Sequence, residues 1–256
     1  MRTALKIIAA LIVIAVAGFF IFAPGYVEST RNAVVPHDPY PVSDAARALH
    51  DDMIVGDWHA DSLLWNRDIT ERGDRGQVDV PRLIEGGVAI QIFTAVTKSP
   101  AGQNYEENSA DAFDNITPLA IGQLWPMRTW TSILERALYQ AEKLHKAAAK
   151  DPEHLTIIKS LADLEAHLAA RAAGSQAVGG ILGIEGAHPL EGDIANLDKI
   201  EAAGHRIIGL QHFFDNALGG SLHGEGNLGL TDFGRAVVAD IEGRGMVLDL
   251  AHSSPQ

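Results

Sequence analysis

Gly180-Ile181-Leu182-Gly183-Ile184-Glu185-Gly186-Ala187-His188 is a short, unbroken apolar run that ends on a carboxylate. An apolar run without polar alternation reads as a strand covered on both faces, as strands in parallel sheets are. Similar runs lie on either side of it: Ile54–His59 and Val88–Val96 before, Arg206–His212 and Met246–His252 after. Helical patterns separate them, at Ser132–Lys150, Leu161–Ala173, Ile194–Ala203 and Asp232–Arg244. Asp151-Pro152, Gly174, Gly204 and Gly245 are the helix stops, and Ser160 and Thr231 are N-caps. This alternation predicts an α/β fold with a parallel sheet.

Five strands can be counted, and the fifth runs into the last residues of the chain. A TIM-type (β/α)8 barrel has eight strands in ~250 residues. The expectation is therefore such a barrel truncated after about the fifth strand, with a complete open five-stranded sheet as the alternative. No solenoid repeat, Gly-x-Gly-x-x-Gly turn or P-loop lysine is present.

At the N-terminus, Arg2 and Lys6 precede an uncharged run from Ile7 to Ala23, which Pro24-Gly25 are expected to end. Residues 1–25 read as an uncleaved signal-anchor, a transmembrane helix with its basic end inside. A cleaved signal with a small-x-small site at Ala23-Pro24-Gly25 is the competing reading. Both export the rest of the chain to a periplasmic or extracellular side, and the anchor reading keeps it at the membrane. Residues 26–42, with Pro36, Pro39 and Pro41, read as a tether. The folded domain is expected over 43–256, opening on a helix from N-cap Ser43 through Leu49.

The 256 residues carry a net charge of −13 and no basic cluster beyond the N-terminus, so a nucleic-acid surface is not expected. There is no cysteine, which excludes disulfides and thiol nucleophiles and leaves His, Asp and Glu as metal ligands.

Chemistry gathers where the strands end. His59 and Asp61 are two apart, so in an extended segment both project to one side and can share a divalent cation. Alone, His-x-Asp is more often a capped loop than a ligand pair. Glu185 closes the third run, where a buried charge needs a partner. A metal, an Arg or backbone amides would each serve. His212 and His252 close the fourth and fifth runs. In parallel barrels the C-terminal strand ends converge on one face, where active sites are built. His188 is placed just outside this set. His37, His50, His145, His154, His167, His205 and His223 read as solvated.

The segments Asp57–Asp61, Val78–Leu83, Gly86-Gly87-Val88, Gly183–His188 and Leu228–Ser253 together resemble, in order, the renal (membrane) dipeptidase family, peptidase family M19. The resemblance spans about residues 45–256. It implies a (β/α)8 barrel of the metal-dependent hydrolase superfamily with two Zn2+ ions. By resemblance, His59 and Asp61 hold one zinc, Glu185 bridges both, His252 holds the second, and His212 contacts substrate near the scissile carbonyl. Glu185 and His212 are thus the catalytic pair. The implied reaction is hydrolysis of a dipeptide by a metal-bridging hydroxide, with a homodimer as a candidate assembly. The family places a further zinc histidine on the next strand and a substrate-binding Arg near the last, beyond the residues present. A superfamily hydrolase acting on a lactone or cyclic amide, and a catalytically incomplete fragment, are the alternatives.

Overall fold

The structure is a computed structural model that describes residues 2–256. Its centre is a curled parallel sheet of β1 (Val55–Ala60), β2 (Val88–Val96), β3 (Leu155–Ile157), β4 (Val178–Glu185), β5 (His205–Gly209) and β6 (Val247–Asp249). The order is β1-β2-β4-β5-β6, every pairing parallel, so β1 and β6 form the two edges. The register of β2 on β4 runs unbroken from Ile90–Gly179 to Val96–Glu185. Because every pairing is parallel, all strand C-termini lie at one end of the sheet.

The helices are α1 (Arg2–Arg31), α2 (Asp44–Asp52), α3 (Val80–Glu85), α4 (Ile116–Gly122), α5 (Ile133–Lys150), α6 (Leu161–Ala172), α7 (Asn196–Ala202) and α8 (Asp232–Gly243). Their starts follow the cap residues. The hydroxyls of Ser43, Ser132, Ser160 and Thr231 each accept a bond from a backbone N–H in the first turn. α5 organises the core. Its Ala141, Leu144 and Ala147 pack with Phe93 of β2 and Val178 and Leu182 of β4. Its Leu134 and Ala137 join Ile184, Ile208, Val237 and Ile241 in a second cluster.

Three features depart from the sequence expectation. β3 is a sixth strand, pairing Leu155–Ile157 with Val178–Gly180 beside the start of β4. Three residues are too few to show a period in sequence, and only tertiary pairing defines them. β5 and β6 stop three residues short of His212 and His252, so both histidines sit on loops above the sheet. The third departure is α1, which continues through Pro24 to Arg31. Proline inside a helix removes one backbone bond. Here contacts to the domain hold the continuation: Glu28 lies 3.8 Å from Arg67, the Gly76 amide donates to the Asn32 carbonyl at 2.9 Å, and Arg75 donates to the Gly25 carbonyl at 3.3 Å.

Gly234 in the first turn of α8 offers a test of this packing. Its backbone is ordinary, so propensity alone favours alanine by ~1 kcal/mol. A Cβ there would strike the Leu218 carbonyl, a backbone atom with no flexible side chain to yield. Gly234→Ala is expected to destabilise by about 1–3 kcal/mol, read as a lower urea midpoint at unchanged slope. An unchanged or higher midpoint would refute the close approach.

Candidate metal centre

The strand ends deliver His59, Asp61, Glu185, His212 and His252 to one place. His59 Nε2 lies 3.2 Å from Asp61 Oδ1 and 3.5 Å from Glu185 Oε1. His252 Nε2 lies 3.2 Å from the same Glu185 Oε1, and His212 Nε2 lies 3.3 Å from Oε2. Two ligand groups result, His59–Asp61–Glu185 and Glu185–His212–His252, and Glu185 belongs to both. All five sequence-derived site residues are therefore together.

The spacing fits metal ligands. Charge-assisted hydrogen bonds between nitrogen and carboxylate run ~2.7–2.9 Å. Donors ~2.0–2.2 Å from one tetrahedral ion lie roughly 3.3–3.5 Å apart. The distances around Glu185 fall in or just below the second range. The donor set, imidazole and carboxylate without sulfur, suits zinc and similar divalent ions.

The surroundings orient each ligand. Thr94 Oγ1 of β2 donates to Asp61 Oδ1. The Lys98 carbonyl, 3.3 Å from His212 Nδ1, sets the tautomer that leaves Nε2 free to face Glu185. Gly186, at φ +78°, turns the chain directly after Glu185. A Cβ on it would collide with the His188 ring and crowd the His212 Cβ. His252 itself takes the left-handed conformation, φ +62°, rare for a residue with a Cβ. Neighbouring bonds hold it there. The Leu222 amide donates to its carbonyl at 2.8 Å, Ser253 Oγ to Gln211 Oε1 at 2.9 Å, and the Ser254 amide to the Gly220 carbonyl at 3.0 Å. Lys143 of α5 donates to the Leu63 and Trp65 carbonyls, fixing the turn that follows Asp61.

Electrostatics follow this crowding. The hydrogen bond to Asp61 raises the His59 pKa to about 9, against a cost of burial, with Asp61 and Glu185 charges adding to the rise. Burial pushes Glu185 up, but the His252 bond and the charges of His212 and His59 outweigh it and hold it low. Burial lowers His212, partly offset by Glu185.

The shift of His59 has a sign that can be measured. Only neutral imidazole binds a metal ion. The metal-free protein keeps His59 protonated up to about pH 9. Metal uptake at neutral pH must then expel a proton. Affinity for the His59-containing group should rise about tenfold per pH unit as pH increases toward that value, then level off. Calorimetry in buffers of differing ionisation heat reads the released proton, and no release at pH 7 would contradict the arrangement.

Three histidines expected to be solvated are buried. His205 Nδ1 lies 3.1 Å from the Gly183 carbonyl, and His167 Nε2 lies 2.8 Å from the Ala89 carbonyl. His223 is enclosed beside the centre, its ring 5.2 Å from that of His252 and stacked on Phe213. Each satisfies a ring nitrogen on a backbone carbonyl from a distant segment, which no local pattern announces. His188, expected near the site, is buried and stacked on Phe214 at 4.5 Å. Thr94, Gln211 and Ser221 also escaped the sequence reading, because uncharged residues inside strands and loops carry no spacing signal.

The profile of the membrane dipeptidase family, peptidase family M19, matches residues 43–256. The chain belongs to that family. Among curated proteins, this M19 chain is 26% identical over 220 residues to "Dipeptidase aclJ" of Aspergillus oryzae, covering 77% of the chain and 44% of that protein. Among solved structures it is similar to the probable dipeptidase PvdM of Pseudomonas aeruginosa, with TM-score 0.58 and 17% identity, covering 81% of the chain and 49% of PvdM. It is also similar to a metallopeptidase of Rhodobacter sphaeroides liganded with a phosphinate mimic of L-Ala-D-Ala, with TM-score 0.55 and 23% identity, covering 79% of the chain and 60% of that one. These likenesses support reading the curled sheet as part of a TIM-type barrel. The M19 chain spans about half the length of the relatives it matches.

Proposed function

We propose that the protein is a zinc-dependent dipeptidase whose centre is built on Glu185. The observation that carries this reading is the position of that carboxylate, shared by two ligand groups, with one oxygen toward His59 and His252 and the other toward His212. His59 and Asp61 would hold one zinc ion, Glu185 would bridge, and His252 would hold the second. Two bound ions supply an activated water and a polarised carbonyl.

The chain's own residues do the rest. Asp61 accepts from Thr94 and keeps His59 aligned. His212 is anchored through Nδ1 on the Lys98 carbonyl, so Nε2 is presented to the cleft. There, with its one proton on Nδ1, it would contact the substrate near the scissile carbonyl as a hydrogen-bond acceptor. Burial holds its pKa down, so the ring enters the reaction neutral. α1 supports a membrane anchor. Arg2–Ala17 lie exposed, and a helix of this length and hydropathy, 2.8 over its best window, can cross a bilayer. The anchor would place the metal centre on the exported side, with residues 33–42 as the tether into the domain.

The test is hydrolysis of a dipeptide panel by the zinc-loaded protein, with a lactone and a cyclic amide in parallel. Dipeptide cleavage that requires zinc is expected. Lactone turnover without dipeptide cleavage would instead favour a superfamily hydrolase of other specificity.

A further inference from the structure

The C-terminal half of α1 does not hang free. Gly18 is its first partly buried residue, and Phe20, Ala23, Pro24, Glu28 and Asn32 continue a half-buried stripe at near-helical spacing, whereas everything from Arg2 to Ala17 is exposed. The stripe lies against α4 at Gly122. A Cβ built there would stand 3.4 Å from both the Phe19 ring and the Pro24 ring. The ion pair of Glu28 with Arg67 and the Gly76–Asn32 hydrogen bond fix the far end of the helix.

A cleft of about 570 Å³ opens between α1 and the metal centre, with room for a dipeptide. Asp61, Glu185 and His212 form its floor. Phe19, Ala23, Pro24 and Val27 of α1 form one wall, and Ile116 and Leu119 of α4 face them. Among the described residues, Arg31 is the one Lys or Arg lining it, and the only carboxylates are those of the floor. A side chain lying between these walls meets carbon, so a cationic one would lose hydration without a partner there, and Arg31 would repel it.

We propose that Phe19–Arg31 is a fixed wall of the substrate cleft, which selects dipeptides with apolar side chains and requires α1 to stay on the mature protein. The substrate class rests on the dipeptidase reading; the wall does not. Cleavage after Ala23 would remove Phe19 and Ala23 from the wall and open the cleft to solvent.

The absence of cysteine makes the test clean. Phe19→Cys/Gly122→Cys in the full chain, embedded in phosphatidylcholine vesicles, is treated with a short bis-maleimide. An intramolecular cross-link between positions 19 and 122, seen by peptide mass, is expected. Its absence overturns the wall. Binding of Leu-Leu and Lys-Lys to the zinc-loaded chain is then measured by calorimetry. Leu-Leu is expected to bind at least tenfold tighter, and Val27→Asp to shrink that ratio to threefold or less with zinc content unchanged. Gly122→Leu, which forces α1 outward, should do the same by another route. Equal binding of the two dipeptides overturns the selectivity alone. Binding of neither, with the cross-link formed, overturns the selectivity together with the dipeptidase reading and leaves the wall.

Discussion

Glu185→Gln is expected to empty both halves of the metal centre at once. The amide keeps the shape of the carboxylate but loses its charge, and presents one acceptor oxygen where the native residue presents two. Both oxygens are engaged, Oε1 near His59 and His252 and Oε2 near His212. Loss of any other ligand would weaken one group, while this change reaches both. Zinc content should fall from two per chain to below one, and dipeptide turnover by at least two to three orders of magnitude, the scale of removing one preorganised electrostatic group. The fold should persist, because the amide is nearly isosteric and the apolar clusters packed on the sheet are untouched. Metal analysis with circular dichroism separates the two effects. A Glu185→Gln variant that keeps two zinc ions would refute the bridging role.

Arg136→Ala is expected to be the most damaging substitution away from the metal. The guanidinium is buried in α5 and spends its donors on five partners. It donates to the carbonyls of Thr129 at 2.8 Å, Thr97 at 2.8 Å and Trp130 at 3.4 Å, to Asp114 Oδ2 at 2.6 Å, and to Thr117 Oγ1 at 2.6 Å. Asp114 in return is held below the ordinary carboxylate range: burial would raise it, and the bonds from Arg136, Thr117 and the Ser99 amide prevail. Truncation leaves that carboxylate half-buried without its cation, a loss of about 3–5 kcal/mol. The damage should also reach the site. Thr97 precedes Lys98, whose carbonyl orients His212. Denaturant unfolding reads the stability loss, and a change under 1 kcal/mol would contradict the account.

Much of this was legible in the sequence, for reasons that differ by residue. The apolar run ending at Glu185 announced β4, because a strand covered on both faces needs no polar alternation. His59, Asp61, His212 and His252 were found by their place just beyond such runs, and the structure brings all of them to Glu185. The resemblance to peptidase family M19 rested on the same segments, and the family profile matches them. What sequence concealed was set by contacts between distant residues. β3 exists only because Leu155–Ile157 finds β4. His167, His205 and His223 are buried because carbonyls far along the chain accept from their ring N–H groups. α1 passes Pro24 because Arg67, Arg75 and Gly76, all far from it in sequence, receive its end. The left-handed turn at His252 depends on Leu222 and Gly220, again a pairing without local signature.

The central claim is that one carboxylate joins two metal sites. Its most direct test is the zinc content of the purified chain after equilibrium dialysis against zinc at pH 7.5, counted by mass spectrometry under conditions that preserve bound metal. The arrangement of His59, Asp61, Glu185, His212 and His252 predicts two ions per chain. One ion or fewer at saturation would contradict it.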